Sequence, residues 1–258
     1  MNEKVSKVTL EVTGVSKRLP TGVNGLDEII EGGVPVGDSM LIAGATGTGK
    51  TILGLQIAST HAKNGGKALY LTFEENKERL IRHMDNLGFP GRELIEEGKL
   101  VIKAIENDSD INDINEYIKN LVTELNVDLI LIDSITMLFT LSRYFTQANK
   151  RIREVIPDNI RPMGDILNRE DIFCFIHAIT KLPVTSIFID EACEQGHNIT
   201  RNGVAEYIVD AVILLNLQFG PKFMRTLLIR KMRDTNHSEE YHPILIERGN
   251  GIRLIDIE

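Results

Sequence analysis

The sequence predicts an α/β fold in which a mostly parallel central sheet is flanked by helices on both faces and carries a small antiparallel C-terminal extension. Short runs rich in Ile, Leu and Val alternate with longer segments whose apolar residues lie three or four positions apart. A glycine-rich phosphate-binding motif also stands between an apolar run and a helical segment. These observations predict both the fold class and the edge of the sheet at which a ligand binds.

The predicted elements follow one another with short connections. Strands are predicted at residues 39–43, 68–73, 100–104, 128–132, 185–190, 211–217 and 226–231. Helices are predicted at residues 50–63, 76–87, 111–125, 134–145 and 165–182. Beyond residue 220 the pattern changes to short strands joined by tight turns, with further strands at 244–247 and 252–255 around a turn at 249–251. This change predicts the antiparallel extension.

Composition narrows the class of protein. Of the 258 residues, 42% are hydrophobic, which supports a substantial core and argues against disorder. The longest apolar stretches are too short to span a bilayer and the first residues lack the apolar core of a secretory signal, so we expect a cytoplasmic protein without a membrane span.

The net charge of −8 disfavours broad, sequence-independent binding to nucleic acid. The two cysteines lack the spacing of metal ligands.

The α/β rhythm runs through the chain without an internal repeat, a low-complexity tract or a Pro/Ser-rich linker. We therefore expect a single domain over residues 1–258. Residues 1–17 are expected to form an N-terminal arm or strand that packs on its surface.

Residues 44–51 read GATGTGKT and match the pattern G-x-x-x-x-G-K-[ST] in full. Glycines in such a loop let the backbone wind tightly, so that successive N–H groups face phosphate oxygens. The Lys50 ammonium is expected to reach the β- and γ-phosphates, and the Thr51 hydroxyl to bind Mg²⁺. A Gly-rich turn without a ligand is the less favoured alternative. The motif predicts a site for the phosphates of a nucleotide, formed by Ala45, Thr46, Gly47, Thr48, Gly49, Lys50, Thr51 and Ile52.

Asp133 ends the apolar run 129–132. A carboxylate at the carboxyl end of a parallel strand is well placed to hold Mg²⁺ beside a phosphate loop. The alternative is a solvated Asp that only ends the strand. Because the phosphate loop is intact, we favour the metal role for Asp133, together with Thr51.

Two carboxylates, Glu74 and Glu75, follow the strand predicted at 68–73. A carboxylate at that edge can accept a hydrogen bond from a water in line with the γ-phosphate. Adjacent strand residues point to opposite faces, so only one of the two suits this role. We favour Glu74 as the base, with Glu75 as a supporting or solvated neighbour. The alternative is an acidic cluster that stabilises the N-terminus of the next helix.

These motifs occur in the order found in KaiC-type ATPases. The shared segments are residues 19–28 (LPTGVNGLDE), 32–37 (GGVPVG), the phosphate loop, 72–75 (TFEE), 133–136 (DSIT) and 231–237 (KMRDTNH). The chain resembles a single-domain KaiC-like member of the RecA superfamily, related also to archaeal RadA paralogues, over nearly all of residues 19–255. The resemblance implies a RecA-like P-loop NTPase fold and hydrolysis of ATP with Mg²⁺. This chain carries one copy of the motifs, whereas the cyanobacterial clock protein of this family carries two such domains in tandem. The resemblance therefore implies no clock function for this chain.

The resemblance also implies a pair of cations that act on a neighbouring subunit. In that family a Lys-x-Arg pair on a strand reaches the γ-phosphate of the neighbour's nucleotide, and here the pair is Lys231 and Arg233. Strand residues two apart point to the same face, so both cations can converge on one phosphate. His237 matches the third member of the motif, a nearby donor. The complete site would then exist only between subunits of a homo-oligomeric ring, expected to be a hexamer. The alternative is two cations on a solvated strand face.

Residues 143–170 depart from the family pattern as an inserted helical or loop segment. Its first part, 143–161, is basic, with Arg143, Lys150, Arg151, Arg153 and Arg161 against Glu154 and Asp158. In recombinases of the superfamily the loop in this region touches DNA, so the segment could contact single-stranded DNA. Docking of a protein partner or a plain solvated face is the favoured alternative. A second loop at 199–203 has no aromatic side chain for base stacking.

The expected function is that of a slow ATPase whose nucleotide state switches the contacts between subunits. The alternative from another class is a RadA-paralogue-like accessory protein of recombination and repair that binds single-stranded DNA. A small-molecule P-loop kinase is disfavoured, because the carboxylate pair and the Lys-x-Arg motif fit hydrolysis on a ring better than an acceptor pocket.

Overall fold

The computed structural model describes residues 17–105, 111, 113–140, 169–193, 198–218 and 224–255. Its strands are β1 (Arg18–Leu19), β2 (Val34–Pro35), β3 (Ser39–Gly44), β4 (Ala68–Thr72), β5 (Leu100–Ala104), β6 (Leu129–Asp133), β7 (Thr185–Glu191), β8 (Ala211–Gln218), β9 (Met224–Met232), β10 (Tyr241–Glu247) and β11 (Gly251–Leu254). Its helices are α1 (Lys50–Lys63), α2 (Lys77–Asn86), α3 (Gly91–Glu96), α4 (Ile114–Leu125), α5 (Ile135–Thr140), α6 (Arg169–Ile179) and α7 (Ala205–Ile208), with a 3-10 turn at Asp27–Ile30.

One sheet of nine strands organises the molecule, in the order β11-β10-β9-β8-β3-β7-β6-β4-β5. The six strands from β8 to β5 are mutually parallel. Strands β9, β10 and β11 are added beyond β8 with antiparallel pairing. This topology confirms the predicted α/β fold and its antiparallel C-terminal extension.

The sheet is buried on both faces, as parallel sheets are when helices connect their strands. Along β3, Met40 and Ile42 face one core, while Leu41 and Ala43 face the other. Helices α1, α2 and α3 cover the first face, and α4 to α7 cover the second. Helix α1 lies close to the sheet at Gly54, where a Cβ would come within 2.8 Å of a β7 side chain.

The carboxyl ends of four parallel strands meet at one edge of the sheet. Thr72 of β4 is in register with Asp133 of β6, and Gly44 of β3 is in register with Glu191 of β7. The loops that follow these residues therefore lie side by side, at the position where open α/β sheets bind ligands. This edge is called the carboxyl edge below, and the opposite one the amino edge.

Several helix boundaries differ from the sequence-based predictions. The helix predicted from residue 111 begins at Ile114, because the Asp113 carboxylate accepts hydrogen bonds from the amides of the next turn and caps it. The helix predicted to end at 182 ends at Ile179, since Pro183 disfavours helical backbone at Leu182. Helix α3 and the antiparallel pair of β1 and β2 were not predicted, because such short elements carry no clear periodicity.

Other predictions fall outside the described residues. These are the arm at 1–17, of which only the last residue is described, the part of the helix predicted at 134–145 beyond 140, and the inserted segment up to 168. Among the helices that the structure describes, none combines the length and apolar character that crossing a bilayer requires.

Candidate functional site

The phosphate loop connects β3 to α1 at the carboxyl edge. Gly47 has a φ of 80° and Gly49 a φ of 107°, conformations that residues with a side chain rarely adopt. A Cβ at Gly49 would also lie 2.8 Å from the Ile246 side chain. The Thr48 hydroxyl donates to the Ala45 carbonyl at 2.8 Å and braces the loop. Because the first N–H groups of a helix lack carbonyl partners within it, the start of α1 can bind phosphate oxygens.

The Lys50 side chain folds over the loop. Its ammonium donates to the carbonyls of Gly44 at 2.9 Å and Ala45 at 3.1 Å. Burial lowers the pKa of Lys50, while the carboxylates of Glu191 and Asp133 act in the opposite direction. A cation held among these carboxylates is well placed to bind an anionic ligand at the loop.

Asp133 ends β6 with its side chain buried beside the phosphate loop. Its Oδ2 accepts hydrogen bonds from the Thr51 hydroxyl at 2.9 Å and the Tyr70 hydroxyl at 2.7 Å. Burial raises the pKa of Asp133 to about 6, and these two hydrogen bonds oppose that shift. Burial and the Asp133 charge raise the pKa of Tyr70 well above its ordinary value, so its hydroxyl keeps the proton that it donates.

The two consecutive carboxylates have different partners. Glu74 Oε1 accepts a hydrogen bond from the Ser134 hydroxyl at 2.5 Å, which ties it to the residue after Asp133. Glu75 instead lies 3.3 Å from Arg79 Nε and 3.6 Å from His83 Nδ1 on α2. Glu75 therefore supports the first turns of α2, whereas Glu74 is oriented by the strand end that carries Asp133.

These groups line one cavity of about 560 Å³, a volume that suits a small-molecule ligand. Apolar and polar side chains both contribute to its wall. The lining residues are Thr46, Gly47, Gly49, Lys50, Thr51, Ile52, Glu74, Glu75, His83, Asn86, Leu87, Asp133, Glu191, Arg225 and Ile246.

Several residues at this site were not predicted from the sequence, and three of them make polar contacts there. Tyr70 donates to Asp133 from the middle of a buried strand. Glu191 ends β7, which enters the sheet between β3 and β6, and it lies 3.1 Å from Arg201. Arg225 on β9 donates from Nε to the Gly47 carbonyl at 3.3 Å. Glu191 could have been predicted from the sequence, because it is a polar residue at the carboxyl end of a parallel strand. The roles of Tyr70 and Arg225 depend on tertiary contacts that the sequence does not indicate.

Lys231 and Arg233 lie far from the phosphate loop of their own chain. Strand β9 runs antiparallel to β8, and Met232 is in register with Ala211, the first residue of β8. The pair is therefore at the amino edge, whereas Arg225 at the other end of β9 contacts the phosphate loop. At about 3.4 Å per residue, the two ends of β9 are roughly 25 Å apart.

Within the chain, both cations are held by oxygen atoms. The Lys231 ammonium donates to a backbone carbonyl at the end of α7. The Arg233 guanidinium donates from Nη1 to Asp210 Oδ1 at 2.9 Å. His237 lies in the loop after β9, where its Nδ1 is 3.0 Å from the carbonyl oxygen of the next residue.

Asp190 is a buried carboxylate next to Glu191. It accepts hydrogen bonds from the Thr136 amide at 3.1 Å and the Asn202 amide group at 2.6 Å. Burial raises the pKa of Asp190 to about 6, against the effect of these hydrogen bonds. The network ties β7 to the helix that follows Asp133 and to the loop after β7.

The raised pKa of Asp190 predicts a pH dependence of stability. An unfolded Asp has a pKa near 3.9, so between about pH 4 and pH 6 the folded state binds the extra proton and stability falls as the pH rises. Relative to Asp190→Asn, the wild type should lose on the order of 2 kcal/mol of unfolding free energy from pH 4 to pH 7. Urea unfolding of both proteins across this range measures the difference. A difference that is constant with pH would contradict the assignment.

Comparisons with known proteins find similar chains. The family model of the ATPase KaiC matches residues 19–156 and 143–258. The circadian clock oscillator protein KaiC of Picosynechococcus sp. is 30% identical over 268 residues, which cover 100% of this chain and 48% of that protein. The circadian clock oscillator protein KaiC 1 of Synechocystis sp. is 31% identical over 257 residues, or 95% of this chain and 45% of that protein.

A solved structure is also similar. It is the crystal structure of the KaiC-like protein PH0186 from the hyperthermophilic archaeon Pyrococcus horikoshii OT3, with a TM-score of 0.76 and 30% identity. The match covers 93% of this chain and 100% of that one. The chain spans about half the length of the curated relatives it matches.

Proposed function

The chain belongs to the KaiC family of ATPases, and from this membership we propose that it hydrolyses ATP slowly, with Mg²⁺, at sites shared between neighbouring copies in a ring. That it is an ATP-binding ATPase of RecA-like fold follows from the family itself. The observation that carries the finer proposal is the convergence of Lys50, Thr51, Asp133 and Glu74 on one cavity, while Lys231 and Arg233 lie at the opposite edge.

The phosphate loop is proposed to hold the triphosphate. Backbone amides of residues 45–51 and the Lys50 ammonium would bind the β- and γ-phosphate oxygens. The Thr51 hydroxyl and the Asp133 carboxylate are hard oxygen ligands 2.9 Å apart, a donor set that suits Mg²⁺. When bound there, Mg²⁺ would neutralise charge on the phosphate oxygens. Arg225, which contacts the loop within the same chain, adds a further cation at this edge.

Glu74 is proposed to orient the attacking water. The Ser134 hydroxyl fixes its carboxylate beside Asp133, so that the second oxygen is available to the water. As the water oxygen bonds to the γ-phosphorus, Glu74 accepts a water proton, and the bond from phosphorus to the β-phosphate oxygen breaks to leave ADP. Glu75, held by α2, is assigned a supporting role.

Lys231 and Arg233 are proposed to act on the neighbouring subunit. Both lie at the amino edge and cannot reach the phosphate loop of their own chain, which is why a second copy is required. In a ring the amino edge of one copy would face the cavity of the next, and the two cations would stabilise charge on the transferring phosphoryl group. His237 would supply a further donor at the same contact.

The number of domains, the ring, the location in the cell and the alternative function complete the proposal. A single domain over residues 1–258 is supported by the one nine-stranded sheet that runs through the described part of the chain. The hexameric ring stays a proposal. The cytoplasmic location stays a prediction. The comparisons favour the KaiC family over the RadA-paralogue alternative, and the basic stretch 143–161 lies outside the described residues.

The test compares assembly and turnover with and without single-stranded DNA. The mass of the assembly is measured in ADP and in ATP with Mg²⁺, and phosphate release is followed in the same samples, with Lys50→Ala as the inactive control. We expect an ATP-dependent ring and slow hydrolysis that DNA leaves unchanged. A monomer in ATP would contradict the shared site, and strong stimulation by DNA would support the recombination-type alternative.

A further inference from the structure

The two cations at the amino edge are held by one short segment of their own chain. The Lys231 ammonium donates to the carbonyls of Val209 and Glu206 at the end of α7. Arg233 makes two hydrogen bonds to Asp210, the residue that follows Val209. Its guanidinium donates to the Asp210 carboxylate at 2.9 Å, and its backbone amide donates to the Asp210 carbonyl at 3.1 Å. Residues 206–210 thus fix the direction in which both side chains leave the sheet.

Asp210 is itself firmly held. Its Oδ2 accepts hydrogen bonds from the Ser39 amide at 3.0 Å and the Ser39 hydroxyl at 2.6 Å, at the first residue of β3. Its own amide donates back to the Ser39 carbonyl at 2.9 Å. Burial acts to raise the pKa of Asp210, but the hydrogen bonds from Ser39 and the Arg233 charge outweigh it and lower that pKa below its ordinary value. The group is therefore a fixed anion at neutral pH.

The Arg233 guanidinium keeps most of its donors free of this contact. A guanidinium has five N–H donors in a rigid fork, and the Asp210 contact uses Nη1. The side chain is 56% exposed, against 28% for Asp210, so the carboxylate anchors one side and leaves the other accessible. An arginine held in this way has already lost the freedom that binding a phosphate would otherwise cost it.

We propose that Asp210 is a positioning residue, which holds Arg233 in the place from which it reaches the γ-phosphate bound to the neighbouring subunit. This inference rests on the shared site proposed above. It assigns a role in hydrolysis to a residue that is proposed to contact neither the nucleotide nor the attacking water. Asp210 acts through Arg233, and therefore serves the neighbour's site and not the site of its own chain.

The substitution Asp210→Asn separates this role from a structural one. Asn keeps the shape of Asp but has one acceptor oxygen and one NH₂ group. The Ser39 amide can only donate, so the single oxygen is expected to stay with Ser39 and the NH₂ group to face Arg233. The hydrogen bonds with Ser39 are then kept. The hydrogen bond with Arg233 is lost, because the Asn NH₂ group and the guanidinium are both donors. Asp38→Asn is the matched control. The Asp38 carboxylate interacts electrostatically with Arg233 as part of the same charged cluster, but among the described residues no hydrogen bond or ion pair joins the two side chains, so this variant removes a nearby negative charge without removing an anchor.

The experiment uses mixed rings in which only one kind of interface is active. Glu74→Gln chains keep Arg233 but lack the base, and Arg233→Ala chains keep the base but lack the arginine. Their mixture is active only where an Arg233→Ala chain binds ATP and a Glu74→Gln chain supplies the arginine. Asp210→Asn is then added to one chain or the other, and phosphate release is measured in each mixture over a range of ATP concentrations.

Added to the Glu74→Gln chain, Asp210→Asn should lower the restored kcat about tenfold with little change in KM, since a small misplacement of a catalytic group is costly. Added to the Arg233→Ala chain, it should leave the restored activity within about twofold, and Asp38→Asn in the Glu74→Gln chain should do the same. Equal losses from both placements, or no loss from either, would overturn the inference. If the mixture without Asp210→Asn is inactive, the shared site itself fails, and the inference with it.

Discussion

Replacing Glu74 by Gln is expected to lower kcat for ATP hydrolysis by a factor on the order of 10² or more, while ATP still binds. The amide is nearly isosteric and keeps an oxygen that can accept the Ser134 hydrogen bond, but it does not accept a proton from the attacking water. Contacts to the phosphates are proposed to come from the loop and Lys50, so the ground-state complex should be unaffected. Equilibrium binding of ATP and single-turnover phosphate release measure the two effects separately.

Glu75→Gln is the matched control. It makes the same chemical change one residue further along, where the carboxylate lies beside Arg79 and His83. A partly exposed ion pair contributes at most about 1 kcal/mol, so turnover should change by no more than about fivefold. Nearly normal turnover in Glu74→Gln would reject it as the base, and a large loss in Glu75→Gln would assign that role to Glu75.

Replacing Arg233 by Ala is expected to lower kcat by a factor on the order of 10³, the lower end of the range for arginines that a chain or its partner protein supplies to phosphoryl transfer. The loss arises because Arg233 is proposed to stabilise charge that develops only in the transition state. Binding of ATP to the isolated chain should be unchanged, since Arg233 lies at the amino edge, away from the phosphate loop.

Arg230→Ala controls for the loss of a positive charge from the same strand. Arg230 is an exposed residue of β9, and it stands one position before the Lys-x-Arg pair. Exposed charges of this kind contribute little, so kcat should stay within about threefold of the wild type. If Arg230→Ala and Arg233→Ala lower kcat equally, the loss of kcat is caused by the change in surface charge, and Arg233 has no specific role.

The sequence was most informative where a motif and a strand end coincide. The phosphate loop needs glycine at the positions with positive φ and Lys50 at the start of a helix, and these requirements are local. Asp133 could be placed because an apolar run ending in a carboxylate predicts the carboxyl edge of a parallel sheet. The parallel direction of the strands up to β8 follows the same logic, since parallel strands require crossover connections and the helical segments between the predicted strands supply them.

The remaining parts of the site depend on contacts between residues distant in sequence. Ser134 reaches Glu74 only because β6 and β4 are adjacent in the sheet. In the sequence, Asp210 is an ordinary polar residue before an apolar strand. Its contact with Arg233 exists because β9 pairs antiparallel with β8, which the sequence does not indicate. Pairing of strands that are far apart in sequence is set by tertiary structure, and a single sequence contains no periodic signal for it.

Each active site is proposed to be built by two subunits, and complementation between inactive chains is the decisive test of this arrangement. Glu74→Gln and Arg233→Ala chains are mixed in equal amounts with ATP and Mg²⁺, and native mass spectrometry first establishes that mixed rings form. If the arginine acts on the neighbour, about one quarter of the interfaces in a random ring combine an intact base with an intact arginine, and the turnover should approach that fraction of the wild type. If rings shown to be mixed have only the background activity of the separate variants, the active site is not shared between subunits.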